Sequence, residues 1–142
     1  MAFRSKGSSP RATTTGPGPP AGAVTVLAVD DQETFRRAAR SLIAATPGFE
    51  QVGEAASGPE ALDLAADLRP DLVLVDVRMP GMDGIETARQ LVDADPGAVV
   101  VLTSLEELPE LPSMSAAAYL RKQDLSTRAL LDLWSGHRRR AR

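Results

Sequence analysis

The sequence predicts an α/β fold in which a five-stranded parallel sheet has helices on both faces. Continuous apolar runs, such as residues 24–29, are typical of strands that are buried on both sides. Segments with apolar residues at helical spacing separate these runs, and Pro and Gly residues mark the boundaries. Strands and helices that alternate in this way favour parallel pairing through right-handed crossovers.

Five segments have the composition of strands. They span residues 24–29, about 49–55, 72–75 with Asp76 at the end, 98–102 and 117–120. The first, third and fourth are unbroken apolar runs, whereas the second is weaker in pattern and the fifth is short.

Four segments show the apolar periodicity of amphipathic helices. They cover residues 32–45, a stretch from Ser57-Gly58-Pro59 to just before Pro70, a stretch around 85–92 closed by Pro96-Gly97, and a last one from Leu125 to Trp134. Pro59 suits a first helical turn because the N–H that proline lacks has no intrahelical partner there.

The two ends of the chain differ in composition from the middle. Residues 1–22 are rich in Pro, Gly and Thr and offer little to bury, so a disordered tail is expected. Residues 137–142 form a basic tail, which leaves one domain over residues 23–136. All 19 acidic residues lie between Asp30 and Asp132, among only nine bases. This acidic middle argues against direct nucleic-acid binding, which needs clustered Lys and Arg.

Several absences exclude further classes of protein. The chain has no cysteine, so disulfides, thiol catalysis and Cys-ligated zinc are excluded. His137 is the single histidine, which argues against His-clustered metal sites and a Ser-His-Asp triad. No apolar run reaches membrane-spanning length and no segment resembles a signal peptide. A cytoplasmic protein without membrane contact is therefore expected.

Polar side chains follow every predicted strand except the second. Asp30 and Asp31 follow the first strand, Asp76 the third, Thr103 and Ser104 the fourth, and Lys122 the fifth. The carboxyl ends of parallel strands meet at one edge of a sheet, where α/β proteins bind their ligands. Three carboxylates at one place repel one another and need a cation, and oxygen ligands suit Mg²⁺ with a phosphate. A hydroxyl and an ammonium suit the remaining phosphate oxygens.

Each of these residues also has a purely structural interpretation. Asp31 could cap the helix that follows it. Thr103 could be a turn residue, Lys122 a solvated charge, and the segment 79–84 a Pro/Gly turn. The coincidence of suitable polar groups at several strand ends favours the functional interpretation.

Four motifs together identify a family. They are Val29-Asp30-Asp31, Asp76-Val77-Arg78-Met79-Pro80-Gly81-Met82-Asp83-Gly84, Leu102-Thr103-Ser104 and Leu120-Arg121-Lys122. Over residues 24–134 the pattern resembles the receiver domain of bacterial two-component response regulators, which has a flavodoxin-like fold. The segment 47–56, and Gln123 directly after the lysine, are similar to the NarL/FixJ branch.

The resemblance implies a role for each motif residue. Asp76 would accept a phosphoryl group from a phosphohistidine on a sensor histidine kinase or phosphotransfer protein. Asp30, Asp31, Asp76 and the backbone carbonyl of Arg78 would bind Mg²⁺. Thr103 and Lys122 would hold the phosphoryl oxygens, and Tyr119 would be an aromatic switch that moves with Thr103. The domain itself would then be a phospho-acceptor rather than an enzyme.

The chain departs from the family between Thr103 and Lys122. This stretch is about one helical turn (~3–4 residues) shorter than usual, and it holds Pro109 and Pro112. Proline inside a helix costs about 3 kcal/mol, so the helix that receivers place here is expected to be shortened or missing. Its apolar residues, including Leu105, are expected either to fold onto the fourth and fifth strands as an irregular loop, which is favoured, or to meet a partner. Receivers commonly dimerise through the face that this helix helps to build. Because the prolines disrupt the helix, that dimer is expected to be weak or absent and the protein mainly a monomer.

Alternative functions remain open at this point. A haloacid-dehalogenase-type phosphatase also uses a strand-end Asp, Mg²⁺, a hydroxyl and a Lys, but it needs a second Asp where this chain has Gln32. A receiver fold could also serve as a binding module that is never phosphorylated. The output would be a separate protein or a helix-turn-helix DNA-binding domain that is missing from this chain.

Overall fold

The computed structural model describes residues 22–106 and 117–141, with side chains as far as residue 136. The strands are β1 (Val24–Val29), β2 (Phe49–Ala55), β3 (Leu72–Asp76), β4 (Val99–Ser104) and β5 (Ala117–Arg121). The α-helices are α1 (Glu33–Ala45), α2 (Gly58–Leu68), α3 (Gly84–Ala94) and α4 (Thr127–Ala141), and a 3₁₀ turn spans Lys122–Asp124. The predicted fold class is confirmed.

The five strands form one parallel sheet in the order β2-β1-β3-β4-β5. The chain winds outward from β1 in both directions, so β1 and β3 lie side by side at the point where the winding reverses. Ligand sites of open α/β sheets lie beyond the carboxyl ends of the strands at this point. On the other side of β3, the register with β4 pairs Asp76 with Thr103.

Each face of the sheet has its own apolar core. Because successive strand residues point to opposite faces, Val26 and Leu74 pack with Ile43 of α1 and Leu130 of α4. On the other face, Leu27, Val29, Val73 and Val75 pack with Ala61 of α2 and Leu91 of α3. Both faces are covered, which explains why the central strands are apolar throughout.

Local signals set the starts of two helices. The Ser57 hydroxyl accepts a hydrogen bond from the Glu60 N–H at 3.3 Å, with Pro59 in the first turn of α2. The Asp83 carboxylate accepts from the Glu86 N–H at 2.9 Å and begins α3. Such caps satisfy N–H groups that have no partner within the helix.

Some sequence-based expectations are changed or lie outside the described residues. Helix α4 continues to Ala141, so the segment predicted as a basic tail from residue 137 is helical up to that point. Folding of Leu105 onto the sheet, which was favoured, is not observed, because Leu105 is 70% exposed. The prolines and the shortened helix fall in residues 107–116, and the predicted N-terminal tail falls almost wholly in residues 1–21; both lie outside the described part. Within that part, no helix is long and apolar enough to cross a membrane.

Candidate functional site

Three aspartates meet at the carboxyl edge of the sheet, as the sequence predicts. Asp30 and Asp31 follow β1, and Asp76 ends β3, the neighbouring strand. One carboxylate oxygen from each lies within 4.8 Å of the other two. Asp30 is 1% exposed and Asp76 5%, while Asp31 is half-buried. The oxygen donors and their spacing fit a hard divalent cation such as Mg²⁺.

Two hydrogen bonds of Asp30, one from its backbone and one to its side chain, hold the turn after β1. The Asp30 N–H continues the sheet by donating to the Ala55 carbonyl at 3.0 Å. The Asp30 carboxylate then accepts from the Gln32 N–H at 2.8 Å. Gln32, not Asp31, is the residue before α1, and no side chain caps that helix. Asp31 therefore has no capping role.

Lys122 reaches into the acidic cluster from the end of β5. Its Nζ lies 2.6 Å from Asp30 Oδ2 and 3.6 Å from Asp76 Oδ2, and its side chain is only 7% exposed. The shorter contact is an ion pair that lacks the alignment of a hydrogen bond. The ammonium also lies 4.4 Å from the centre of the Phe35 ring of α1, a cation–π distance. A buried lysine is thus held beside the predicted acceptor rather than solvated.

Thr103 and Ser104 have different environments. Thr103 lies beside Asp76 in the sheet, is 1% exposed, and its hydroxyl has no hydrogen-bond partner among the described residues. An unpaired buried hydroxyl is costly, and it is available for a ligand oxygen. Ser104 instead accepts from the Glu106 N–H at 3.1 Å, which is a local structural contact.

The pKa of Asp76 is raised above that of an ordinary aspartate. Burial is the largest cause, and the negative charge of Asp30 adds to it. Lys122 and the hydrogen bond from the Arg78 N–H, at 3.3 Å, oppose the shift. The ionised carboxylate is therefore destabilised in the folded protein until a cation binds beside it.

The raised pKa predicts how stability depends on pH in the absence of metal. Between the ordinary and the raised pKa, folded Asp76 holds a proton that the unfolded chain has released, so its contribution to stability falls as pH rises. Asp76→Asn removes this titration. We expect the variant to exceed the unchanged protein in free energy of unfolding at about pH 7, and the difference to shrink towards about pH 4. Urea denaturation checks this; a difference that grows on acidification would contradict it.

Arg78 and Tyr119 meet at the loop after β4. The Arg78 guanidinium forms an ion pair with the Glu106 carboxylate at 2.8 Å. Tyr119 is half-buried, and its hydroxyl donates to the Glu106 carbonyl rather than to Thr103. The switch role of Tyr119 and the ligand role of the Arg78 carbonyl stay predictions.

Two contributors to the site were not identified from the sequence. In the sequence, Phe35 is one apolar position of the helix predicted over residues 32–45, and Arg36 lies in no motif. Arg36 Nη1 donates to the Asp30 carbonyl at 2.6 Å. The available signal was their position one turn into the helix that follows the Asp pair.

Comparison with known proteins assigns the family. A model of the response regulator receiver domain matches residues 26–130. The protein therefore belongs to the response regulator receiver domain family, and the resemblance seen in the motifs is confirmed. Receiver domains of response regulators serve signal transduction in two-component systems.

Several named proteins are similar in sequence. Response regulator GacA of Pseudomonas aeruginosa is 41% identical over 103 residues, which are 70% of this chain and 48% of GacA. A protein-glutamate methylesterase/protein-glutamine glutaminase of Alkalilimnicola ehrlichii is 44% identical over 82 residues, 58% of this chain and 21% of that protein. The chain thus spans half or less of these relatives.

Solved structures show the same fold. The signal receiver domain of the response regulator NarL from Mycobacterium tuberculosis aligns with a TM-score of 0.70 and 31% identity, over 80% of this chain and 98% of that one. Chemotaxis protein CheY4 of Vibrio cholerae aligns with a TM-score of 0.68 and 27% identity, over 80% and 97%. The expected similarity to NarL-type receivers is confirmed.

Proposed function

We propose that Asp76 is the phospho-acceptor of this receiver and that a phosphohistidine on a sensor kinase or phosphotransfer protein is the donor. The observation that carries the proposal is the meeting of three carboxylates, a buried ammonium and an unpaired buried hydroxyl at one edge of the sheet. These are the groups that transfer of a phosphoryl group requires.

The acidic cluster is proposed to hold Mg²⁺ through Asp30, Asp31 and Asp76, with the carbonyl of Arg78. When bound, the cation neutralises charge on the transferred group. The fit rests on the three oxygen donors within 4.8 Å of one another. It also rests on the raised pKa of Asp76, since a cation favours the ionised form that must attack.

Three side chains of this protein are proposed to have separate roles in transfer of the phosphoryl group. A carboxylate oxygen of Asp76 forms the new bond to phosphorus as the bond from phosphorus to the histidine nitrogen breaks, and the freed imidazole takes up a proton. Lys122 is proposed to leave its ion pair with Asp30 and contact a phosphoryl oxygen. The Thr103 hydroxyl donates to another oxygen, which gives it the partner it lacks.

Acetyl phosphate tests the proposal without a kinase. With Mg²⁺, we expect a Phos-tag gel to show one slow-migrating species, which does not form when Mg²⁺ is chelated before acetyl phosphate is added. A protein that only binds partners would stay unlabelled, and a phosphatase would consume acetyl phosphate repeatedly without holding the label. Either result would overturn the proposal.

Asp31→Ala tests the metal ligands separately. Because the variant loses a carboxylate from the cluster, we expect it to lose Mg²⁺-dependent binding of beryllofluoride, a phosphoryl mimic. Calorimetry measures this, with the exposed Asp93→Ala as a control for the loss of one charge. Equal binding of the mimic with and without Mg²⁺ would show that the cluster is not a metal site.

The partners are proposed from the family. The donor is a histidine kinase or phosphotransfer protein, and the output is a separate protein or a further domain such as a DNA-binding domain. Relatives such as GacA extend well beyond the matched segment, which supports the second form of output. The monomeric state and the cytoplasmic location stay predictions.

A further inference from the structure

Arg36 joins the acidic cluster to helix α1 and strand β2. Its Nη1 donates to the backbone carbonyl of Asp30 at 2.6 Å. Its Nη2 contacts Glu33 at 2.6 Å, and its Nε lies 3.4 Å from Glu54. The side chain is 15% exposed, which is low for an arginine on the first turns of a helix. The planar guanidinium thus serves three oxygens in fixed directions.

The carbonyl that Arg36 holds belongs to the peptide group between Asp30 and Asp31. The Asp30 carboxylate has further contacts of its own, from the Gln32 N–H and Lys122. The Asp31 carboxylate has no hydrogen bond or ion pair within residues 22–106 and 117–136. The position of this carboxylate therefore depends on the backbone of Asp31. The plane of the preceding peptide group sets the direction in which the Asp31 side chain projects from its Cα.

Glu54 keeps Arg36 in place. Its carboxylate also accepts from Arg40 Nε at 2.5 Å and from Gln51 Nε2 at 2.8 Å. The hydrogen bond from Arg40 is the largest cause of a lowered pKa for Glu54, so this carboxylate is ionised at neutral pH. The chain of contacts runs from strand β2 through Glu54 and Arg36 to the Asp30 carbonyl.

We propose that Arg36 is a positioning residue of the metal site, which fixes the peptide plane between Asp30 and Asp31 so that the Asp31 carboxylate faces the cation. The inference rests on the proposed Mg²⁺ site. Mutation of a residue that hydrogen-bonds and orients a metal ligand commonly lowers metal affinity 10- to 100-fold.

The sign of the effect separates positioning from simple charge. Arg36 is a cation near the acidic cluster, so as a charge alone it repels Mg²⁺ and its removal would tighten binding. As a positioning residue, its removal weakens binding. The two roles predict opposite changes in the same measurement.

The test is a Mg²⁺ titration of the full chain, monitored through the NMR chemical shifts of the backbone amides of residues 30–32 and 76–78. We expect Arg36→Ala to weaken Mg²⁺ binding about 10-fold. Arg37→Ala removes the same charge from the same helix. Arg37 is exposed and forms an ion pair with Glu33 at 3.8 Å, but it has no hydrogen bond or ion pair with Asp30 or Glu54 in the described part of the chain. We expect this variant to bind Mg²⁺ as the unchanged protein does, or slightly more tightly.

Arg36→Lys keeps the charge and removes the planar fork, so it decides the matter if Arg36→Ala does not fold. We expect this variant to bind Mg²⁺ more weakly than the unchanged protein. Equal or tighter binding by the folded Arg36 variants would overturn the inference while leaving the Mg²⁺ site in place. Equal weakening by Arg37→Ala would overturn it too. If the unchanged protein binds no Mg²⁺, the proposed function itself fails, and this inference fails with it.

Discussion

Asp76→Asn is expected to abolish phosphoryl labelling completely. The substitution replaces the attacking carboxylate with an amide of nearly the same shape, which is too weak a nucleophile to form the acyl phosphate. Asp76 is a buried member of the cluster: its carboxylate lies 3.6 Å from the Lys122 ammonium, and Thr103, whose hydroxyl is unpaired among the described residues, lies beside it in the sheet. The measurement is Phos-tag migration after incubation with acetyl phosphate and Mg²⁺.

Asp67→Asn is the matched control for this experiment. Asp67 lies exposed on α2, away from the carboxyl edge of the sheet, so the same change of charge there should leave labelling intact. Circular dichroism of Asp76→Asn should match that of the unchanged protein. Full labelling of a folded Asp76→Asn variant would show that another residue is the acceptor.

Gly84→Ala is expected to have the largest effect on stability. A Cβ atom at Gly84 would lie 1.8 Å from the Asp76 carbonyl oxygen and 2.8 Å from Val77 Cα, and both are backbone atoms that cannot rotate away. The Gly84 N–H also donates to the Val77 carbonyl at 3.0 Å, which holds the helix start against the end of β3. We expect a loss of about 3 kcal/mol in the free energy of unfolding, the upper end for overpacking.

Urea denaturation measures this loss, and Gly97→Ala serves as its control. A Cβ at Gly97 would lie 3.5 Å from Oδ1 of the flexible Asp95 side chain, which is an ordinary contact, so this variant should stay within about 0.5 kcal/mol of the unchanged protein. Gly84→Ala should also lose phosphoryl labelling, because relief of the contact must displace Asp76. A Gly84→Ala protein of unchanged stability would contradict the close approach.

Much of the site could be predicted because it depends on strand ends. The polar residues of the site come at the ends of strands that can be recognised in the sequence, although the fifth strand is short. These residues are Asp30, Asp31, Asp76, Thr103 and Lys122. Parallel pairing then brings those ends together whatever the details of packing. The alternative interpretation, that Asp31 caps α1, does not hold because Gln32 is the N-cap residue and no side chain caps that helix.

Contacts across elements could not be predicted in the same way. Of the two outcomes expected for Leu105, folding onto the sheet is not observed, because the residue is 70% exposed, and the extension of α4 to Ala141 was not foreseen. Residues 137–142 are basic and have no apolar residues at helical spacing, which suggested a tail. The helix continues there because no Pro or Gly after Gly136 ends it.

The sequence by itself determined the fold class, the family and the residues that meet at the carboxyl edge of the sheet, because periodicity and strand ends are local features. Only the tertiary structure decided which partners orient those residues. Phe35 lies beside the Lys122 ammonium, Arg36 reaches the Asp30 carbonyl, and Gly84 touches the backbone of Asp76. Each of these contacts depends on the distance and angle between packed elements, which no local pattern encodes.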